Sequence, residues 1–320
     1  MKILAIQSRM GIGDTVIFLP FIEALSKKYN TPIDIMVRES SKADQYLYET
    51  NYINKILILE RNNESNGNHD GFLGAFNLAK DLKKNHFDKV FIFNSSLRFS
   101  LIAKLAGIKE IYQYPLFKKE KQHIINTAKK FIENSINDGN LNDPKINVNE
   151  SKIKDAVINF KIKKDEVNIL LGIGGSGPTK RIPSKTFLEV IEKITQLKKC
   201  NFFLATGKNN EEQKILKEIL VSEFSNLCTP LDNLTIKETL PIIKNCDASI
   251  CNDTSYSHLS AALGINTITL MADTPLIYGS YSSRMYPIIP DGESIVTHNT
   301  LGKDRINSNK IIEKLKLILN

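Results

Sequence analysis

Residues 247–271, DASICNDTSYSHLSAALGINTITLM, set a short apolar run, a polar loop, a small-residue helix and a second apolar run in immediate succession. Ala248–Cys251 has the length of a buried strand, and Asn266–Met271, rich in Thr and Ile, has that of the next. Leu259, Ala261, Ala262 and Leu263 carry the helix between them, and Gly264 stops it. Two strands joined through a helix pair in parallel, so this stretch commits the chain to a covered parallel sheet. The loop Asn252–Ser257 offers N-capping side chains, and the helix start it leads into presents unpaired N–H groups with positive dipole character. That is an anion site, or simply a well-capped helix.

The same alternation runs through the whole chain. Lys2–Gln7 is predicted as a strand, followed by the loop Ser8–Gly13, then Asp14 and a helix over Thr15–Tyr29 that Pro20 should kink or cap. Strands follow at Ile33–Val37, Ile56–Leu59 and Val90–Asn94, with helices at Phe72–Asn85 and Arg98–Leu105. Asn62–Gly71 is a polar loop, and Glu120–Ile136 an amphipathic helix. A second set comprises strands Val167–Ile173 and Asn201–Thr206 and helices Ser184–Lys198, Asn210–Ser222, Thr235–Asn245 and Ser308–Leu319. Thr235 with Glu238 forms a capping box. The Asn/Asp/Gly/Pro-rich stretch Asn137–Glu150 is the expected linker. The expected class is therefore α/β, with one domain over 1–150, a second over 151–302, and a terminal helix in 303–320.

Composition narrows the function. No apolar run approaches the ~20 residues of a membrane span, and MKILAIQSRMGIGD lacks the form of a signal peptide, so a cytoplasmic address is expected. Cys200, Cys228, Cys246 and Cys251 have no CxxC spacing and no nearby His pair, which predicts buried free thiols and no metal. The net charge of +8 permits anionic substrates or an anionic membrane surface. Lys118, Lys119, Lys121, Lys129 and Lys130 lie in and before the amphipathic helix. They form either a solvated face or a contact for the phosphates of a lipid-borne acceptor.

The segment 172–177, GIGGSG, matches a dinucleotide fingerprint in spacing, but Pro178 and Pro183 keep its last glycine out of a helix, and no acidic residue ends the following strand. It fails as a P-loop because Pro178-Thr179 stands where Lys-Ser/Thr is needed. What remains is a glycine loop with Ser176, Thr179, Lys180 and Arg181, a set suited to a phosphate.

GIGGSGPTKRIP before a helix, CNDTSYSHLSAALG before a strand, and the opening SRMGIGDTVIFLP together resemble the heptosyltransferase family, glycosyltransferase family 9. The resemblance spans the chain in the right order. It implies the GT-B architecture, two Rossmann-like domains facing across a cleft, with the last helix returning to the N-terminal domain. It also implies a metal-independent inverting transferase that needs no cofactor. Such an enzyme moves heptose from ADP-heptose to the lipopolysaccharide core or another glycolipid or polysaccharide acceptor. It would work at the cytoplasmic face of the inner membrane, without nucleic-acid partners.

By the same resemblance Asp14 matches the general base, although a carboxylate there would also serve as a helix N-cap. Lys180 matches the lysine on the leaving diphosphate, with Thr179 and Ser176 as hydroxyl donors to phosphate and Arg181 as a second cation. Asp253, Thr254 and His258 match Asp-Thr-x-x-x-His around diphosphate and sugar, and His258 has a packing role as its alternative. Glu211 stands near the acidic residue that holds ribose hydroxyls, with Glu212 equally open to that match. Ser255 replaces the family's usual glycine, where positive φ and close phosphate approach would be costlier. Two other classes stay open: a nucleotide-sugar-binding protein without catalysis, disfavoured by Asp14 and Lys180 together, and an NAD-dependent oxidoreductase, disfavoured by Pro178 and the missing acid.

Overall fold

The computed structural model describes residues 1–61, 67–115, 123–139 and 141–320. The chain divides into two units, Met1–Pro144 and Lys145–Asn320. The break falls inside the linker expected at Asn137–Glu150.

In the first unit the order is β1 (Ile3–Ile6), α1 (Ile12–Tyr29), β2 (Ile33–Arg38), β3 (Ile53–Leu59), α2 (Gly71–Asn85), β4 (Lys89–Ile92), α3 (Leu97–Leu105), β5 (Glu110–Gln113) and α4 (Ile124–Ile136). The sheet order is β3-β2-β1-β4-β5, every pair parallel. β1 is buried throughout, as an apolar ILAI run at the centre of a covered sheet must be. α1 passes through Pro20 as one helix, and Asn30 ends it in the left-handed conformation at φ 48°. Proline is neither in its first turn nor at its end, which corrects the expected cap. α2 and α3 bury Leu78, Leu82, Phe99 and Ile102 against β1, β2 and β4. Lys118, Lys119 and Lys121 lie outside the described residues, as does the expected helix start at Glu120; α4 runs over Ile124–Ile136 with His123 as its N-cap.

The second unit runs α5 (Glu150–Asn159), β6 (Val167–Gly172), α6 (Ser184–Thr195), β7 (Cys200–Ala205), α7 (Asn210–Leu220), β8 (Cys228–Pro230), α8 (Ile236–Lys244), β9 (Ala248–Asn252), α9 (Ser255–Ala262), β10 (Thr267–Leu270), β11 (Met285–Ile288) and α10 (Ser308–Leu319). Its sheet order is β11-β10-β9-β6-β7-β8, again parallel throughout. The capping box on α8 forms as expected, with Thr235 and Glu238 bonded in both directions. Ile311, Ile312 and Leu315 of the terminal helix α10 sit in the same core as Val190, Ile194, Ile268 and Ile288, so its apolar face packs on the sheet of the second unit.

All four cysteines are free and buried. Burial raises their thiol pKa values, to about 11 for Cys200 and about 12 for Cys228 and Cys251, so none is a ready nucleophile.

Candidate active site

A doubly wound parallel sheet has one place where consecutive connections leave in opposite directions, and the loops at the carboxyl ends of the two strands there part to form a crevice. In the second unit that place lies between β6 and β9. The glycine loop follows β6 and the Asp253 loop follows β9. The two segments singled out in the sequence therefore meet because of strand order.

Asn252, the last residue of β9, is buried and donates its side-chain amide to the carbonyls of Ile173 (2.9 Å) and Gly174 (3.0 Å). This ties the end of one strand to the glycine loop of the other. Next in sequence, Asp253 accepts from Lys180 Nζ at 2.7 Å. Its other oxygen stands 3.9 Å from His258 Nε2. Burial by itself would raise the Asp253 carboxyl pKa; the Lys180 ammonium and the His258 ring beside it win, and the pKa is held below its ordinary value. An ionised carboxylate at 5% exposure thus fixes an ammonium that remains 26% exposed at the mouth of the crevice. His258 is fixed from its far side, with Nδ1 2.8 Å from the Tyr281 hydroxyl and the two rings stacked at 5.6 Å. The Tyr281 contact at Nδ1 holds the ring with its Nε2 toward Asp253.

Thr254 precedes α9 in extended conformation, φ −143°, and its side chain does not cap the helix. Ser257 N–H turns to the Thr254 carbonyl at 3.2 Å, which leaves the Ser255 and Tyr256 N–H groups for another acceptor, and the buried Thr254 Oγ1 has no hydrogen-bond partner among the described residues. Ser255 is the first residue of α9 and is absent from the positive-φ positions. The backbone strain expected of serine at this position does not arise. Ser176 is exposed at the tip of the glycine loop, and Thr179 is half-buried in the turn Pro178–Lys180.

Arg181 and the two glutamates are engaged with the loop itself. Arg181 donates through Nε to the Gly175 carbonyl at 2.8 Å and pairs with Glu211, so the cation braces the loop from outside. Glu211 is exposed and engaged by that arginine. Glu212, one residue on, is buried and accepts the Gly175 N–H at 2.6 Å and the Asn209 side chain. A Cβ at Gly207 would meet its carboxylate at 2.3 Å, and one at Gly174 at 2.6 Å. The glycines thus make room for a carboxylate inside the loop, a role that G-x-G-x-x-G spacing does not reveal.

In the first unit the switch lies between β1 and β4. Asp14 is there, in the first turn of α1 after β1. It is the third helical residue and not the N-cap; the cap is Gly11, at φ 99°. Its carboxylate accepts from Arg9 Nε at 2.9 Å and stays partly exposed. Arg9, Asn252 and Tyr281 were not foreseen. A polar residue ending a buried strand was the available signal for Asn252; Tyr281 reaches His258 from a remote loop and had none.

Lys129 and Lys130 are exposed on α4, with Lys129 3.8 Å from Glu133. Lys130 lines a cavity of about 360 Å³ with Tyr112, Gln113, Phe131 and Asn134. Among the described residues no group of acidic, Cys or His side chains has the arrangement of a metal site, and no helix is long and apolar enough to cross a membrane.

Residues 75–289 match the family described as glycosyltransferase family 9 (heptosyltransferase). The chain is 27% identical over 281 residues to lipooligosaccharide heptosyltransferase 2 of Campylobacter jejuni, covering 82% of this chain and 78% of that one. Among solved structures, an ADP-heptose LPS heptosyltransferase II from Escherichia coli superposes with a TM-score of 0.76 at 19% identity, over 100% of this chain and 98% of the other. A glycosyltransferase family 9 protein from Veillonella parvula gives 0.81 at 17% identity, over 99% and 97%. These last two likenesses establish the fold, that of the GT-B heptosyltransferases. Neither the oxidoreductase nor the non-catalytic alternative gains support from them.

Proposed function

The chain belongs to glycosyltransferase family 9, and from that premise we propose that it transfers heptose from ADP-heptose, with inversion, to a lipopolysaccharide- or lipooligosaccharide-core acceptor. The observation that carries this reading is the Lys180–Asp253–His258 cluster at the switch point of the second unit, with uncapped N–H groups of α9 beside it. An ammonium and a helix N-terminus together suit a diphosphate.

The reaction is one displacement. Asp14 takes the proton from an acceptor hydroxyl, whose oxygen forms a bond to the anomeric carbon as the bond from that carbon to the diphosphate oxygen breaks. Negative charge develops on the departing ADP, and Lys180 with the α9 amides receives it. Arg9 holds the Asp14 carboxylate in one orientation. His258, oriented by Tyr281, is placed for a sugar hydroxyl or phosphate oxygen. Glu212 and Arg181 keep the loop in shape for Ser176 and Thr179 to reach phosphate. No metal or cofactor is required in this scheme, and the work is done at the cytoplasmic face of the inner membrane.

The test is transfer from ADP-heptose to a core acceptor lacking heptose, with the product anomer assigned by NMR. Asp14→Asn should lower kcat by about 10²–10⁴-fold while calorimetry finds ADP-heptose affinity unchanged. Full turnover by that variant would remove Asp14 from the mechanism, and rate loss on adding a chelator would remove metal independence.

A further inference from the structure

Six large apolar side chains on α2 and α3 face outward: Phe72 (79% exposed), Leu73 (77%), Phe76 (48%), Leu97 (43%), Leu101 (55%) and Leu105 (56%). They are not core residues displaced by poor packing. Each helix already buries a separate stripe in the sheet, Leu78 and Leu82 on α2 and Phe99 and Ile102 on α3. On α3 the outward leucines recur at every fourth position, and on α2 Phe72 and Phe76 pack edge to face at 5.1 Å. Arg98 joins the two helix starts by donating to the carbonyls of Gly71 (2.6 Å) and His69 (2.7 Å). Because the sheet is parallel, the starts of α1, α2 and α3 all lie at its carboxyl rim. Phe72, Leu73 and Leu97 therefore stand on the same rim as Asp14.

On these two helices the exposed charges are basic: Lys80, Lys83, Lys84 and Lys104. The one acidic residue on the two helices, Asp81, is held by Lys84 at 2.9 Å. Exposed aromatic and aliphatic side chains flanked by lysines are the combination that binds the interface of an anionic bilayer, by apolar insertion together with attraction to headgroups. A second copy fits less well, since a two-fold pairing of this face would bring the two sets of lysines together.

We propose that the α2–α3 face docks the protein onto an anionic membrane surface, presenting the Asp14 rim to an acceptor embedded there. The purpose of this docking rests on the glycolipid acceptor argued above; the docking itself does not.

Cosedimentation with vesicles tests it. The wild-type protein should bind phosphatidylglycerol–phosphatidylcholine vesicles, bind pure phosphatidylcholine more weakly, and release as salt rises. Replacing Phe72, Phe76 and Leu101 together by Ser should lower vesicle affinity by at least about tenfold with little change in Tm, since all three are exposed. The same variant should retain kcat/KM on a lipid-free core oligosaccharide and lose rate on vesicle-borne acceptor. K129Q/K130Q, on α4, should bind vesicles like the wild type. Absence of wild-type binding, or equal binding by the triple variant, overturns the proposal. So does a wild-type dimer in sedimentation equilibrium that the triple variant abolishes, which would make the face an interface between copies. Vesicle binding without transfer to either acceptor would instead defeat the functional reading alone.

Discussion

At the scale of single residues, the site depends on how one buried carboxylate is balanced. Asp253 stays ionised because Lys180 and His258 more than offset its loss of solvent. Its folded pKa lies below the ordinary 3.8. The stability it contributes is therefore fully present above about pH 3.8 and is lost as pH falls through the lower folded value. Asp253→Asn should destabilise the protein at neutral pH by about 1.5–3 kcal/mol, the worth of a hydrogen bond to a charged group. Urea unfolding should show the gap to wild type narrowing as pH drops below 3.8. A gap that widened in acid would mean the carboxyl is protonated in the folded protein. Asp14 and Glu212 illustrate the opposite uses of a carboxylate. Asp14 is left partly exposed and aimed by one arginine, whereas Glu212 is buried and given over to backbone support.

At the scale of elements, the pairing of β6 with β9 has to be close at the switch point, and Gly172 is what allows it. A Cβ there would lie 2.6 Å from Cys251 Sγ and 2.9 Å from Cys251 Cβ on the neighbouring strand. Gly172→Ala should cost about 1–3 kcal/mol by overpacking, read as a lower urea midpoint. Cys251→Ala in the same chain should restore part of the loss, since the two substitutions share one space. Additive costs would show that the clash is relieved by some other shift. The start of α9 belongs to the same scale. Its capping residues look interchangeable with those of α8, yet Thr235 caps α8 while Thr254 leaves α9 uncapped.

At the scale of the molecule, each unit has its own sheet and its own hydrophobic cluster. A nucleotide held by the β6 and β9 loops should therefore be felt first in the second unit. With ADP at a hundred times its Kd, the gain is about 2.7 kcal/mol. Hydrogen exchange should slow at residues 172–181 and 252–258 and stay unchanged in α2 and β3. Equal protection of both units would mean that ADP binding is coupled to the first as well.

The α/β class, the parallel sheets, the linker and the three motif loops were legible because apolar periodicity and glycine, proline and capping residues are local signals. β5, β8 and β11 were missed because they are short, and β5 is only partly buried; their pairing comes from neighbours distant in sequence. The amphipathic period of α10 announced a buried face but not its partner, and the core around Val190 and Ile268 supplied one within the second unit. In the same way local pattern names the residues able to hold a phosphate or take a proton, while what each of them touches is set by the fold. Arg181 and Glu212 turn to the glycine loop, and Lys180 is fastened by Asp253. The reason is physical: a side chain's role depends on which charges and carbonyls lie within about 3 Å of it, and strand order sets those neighbours.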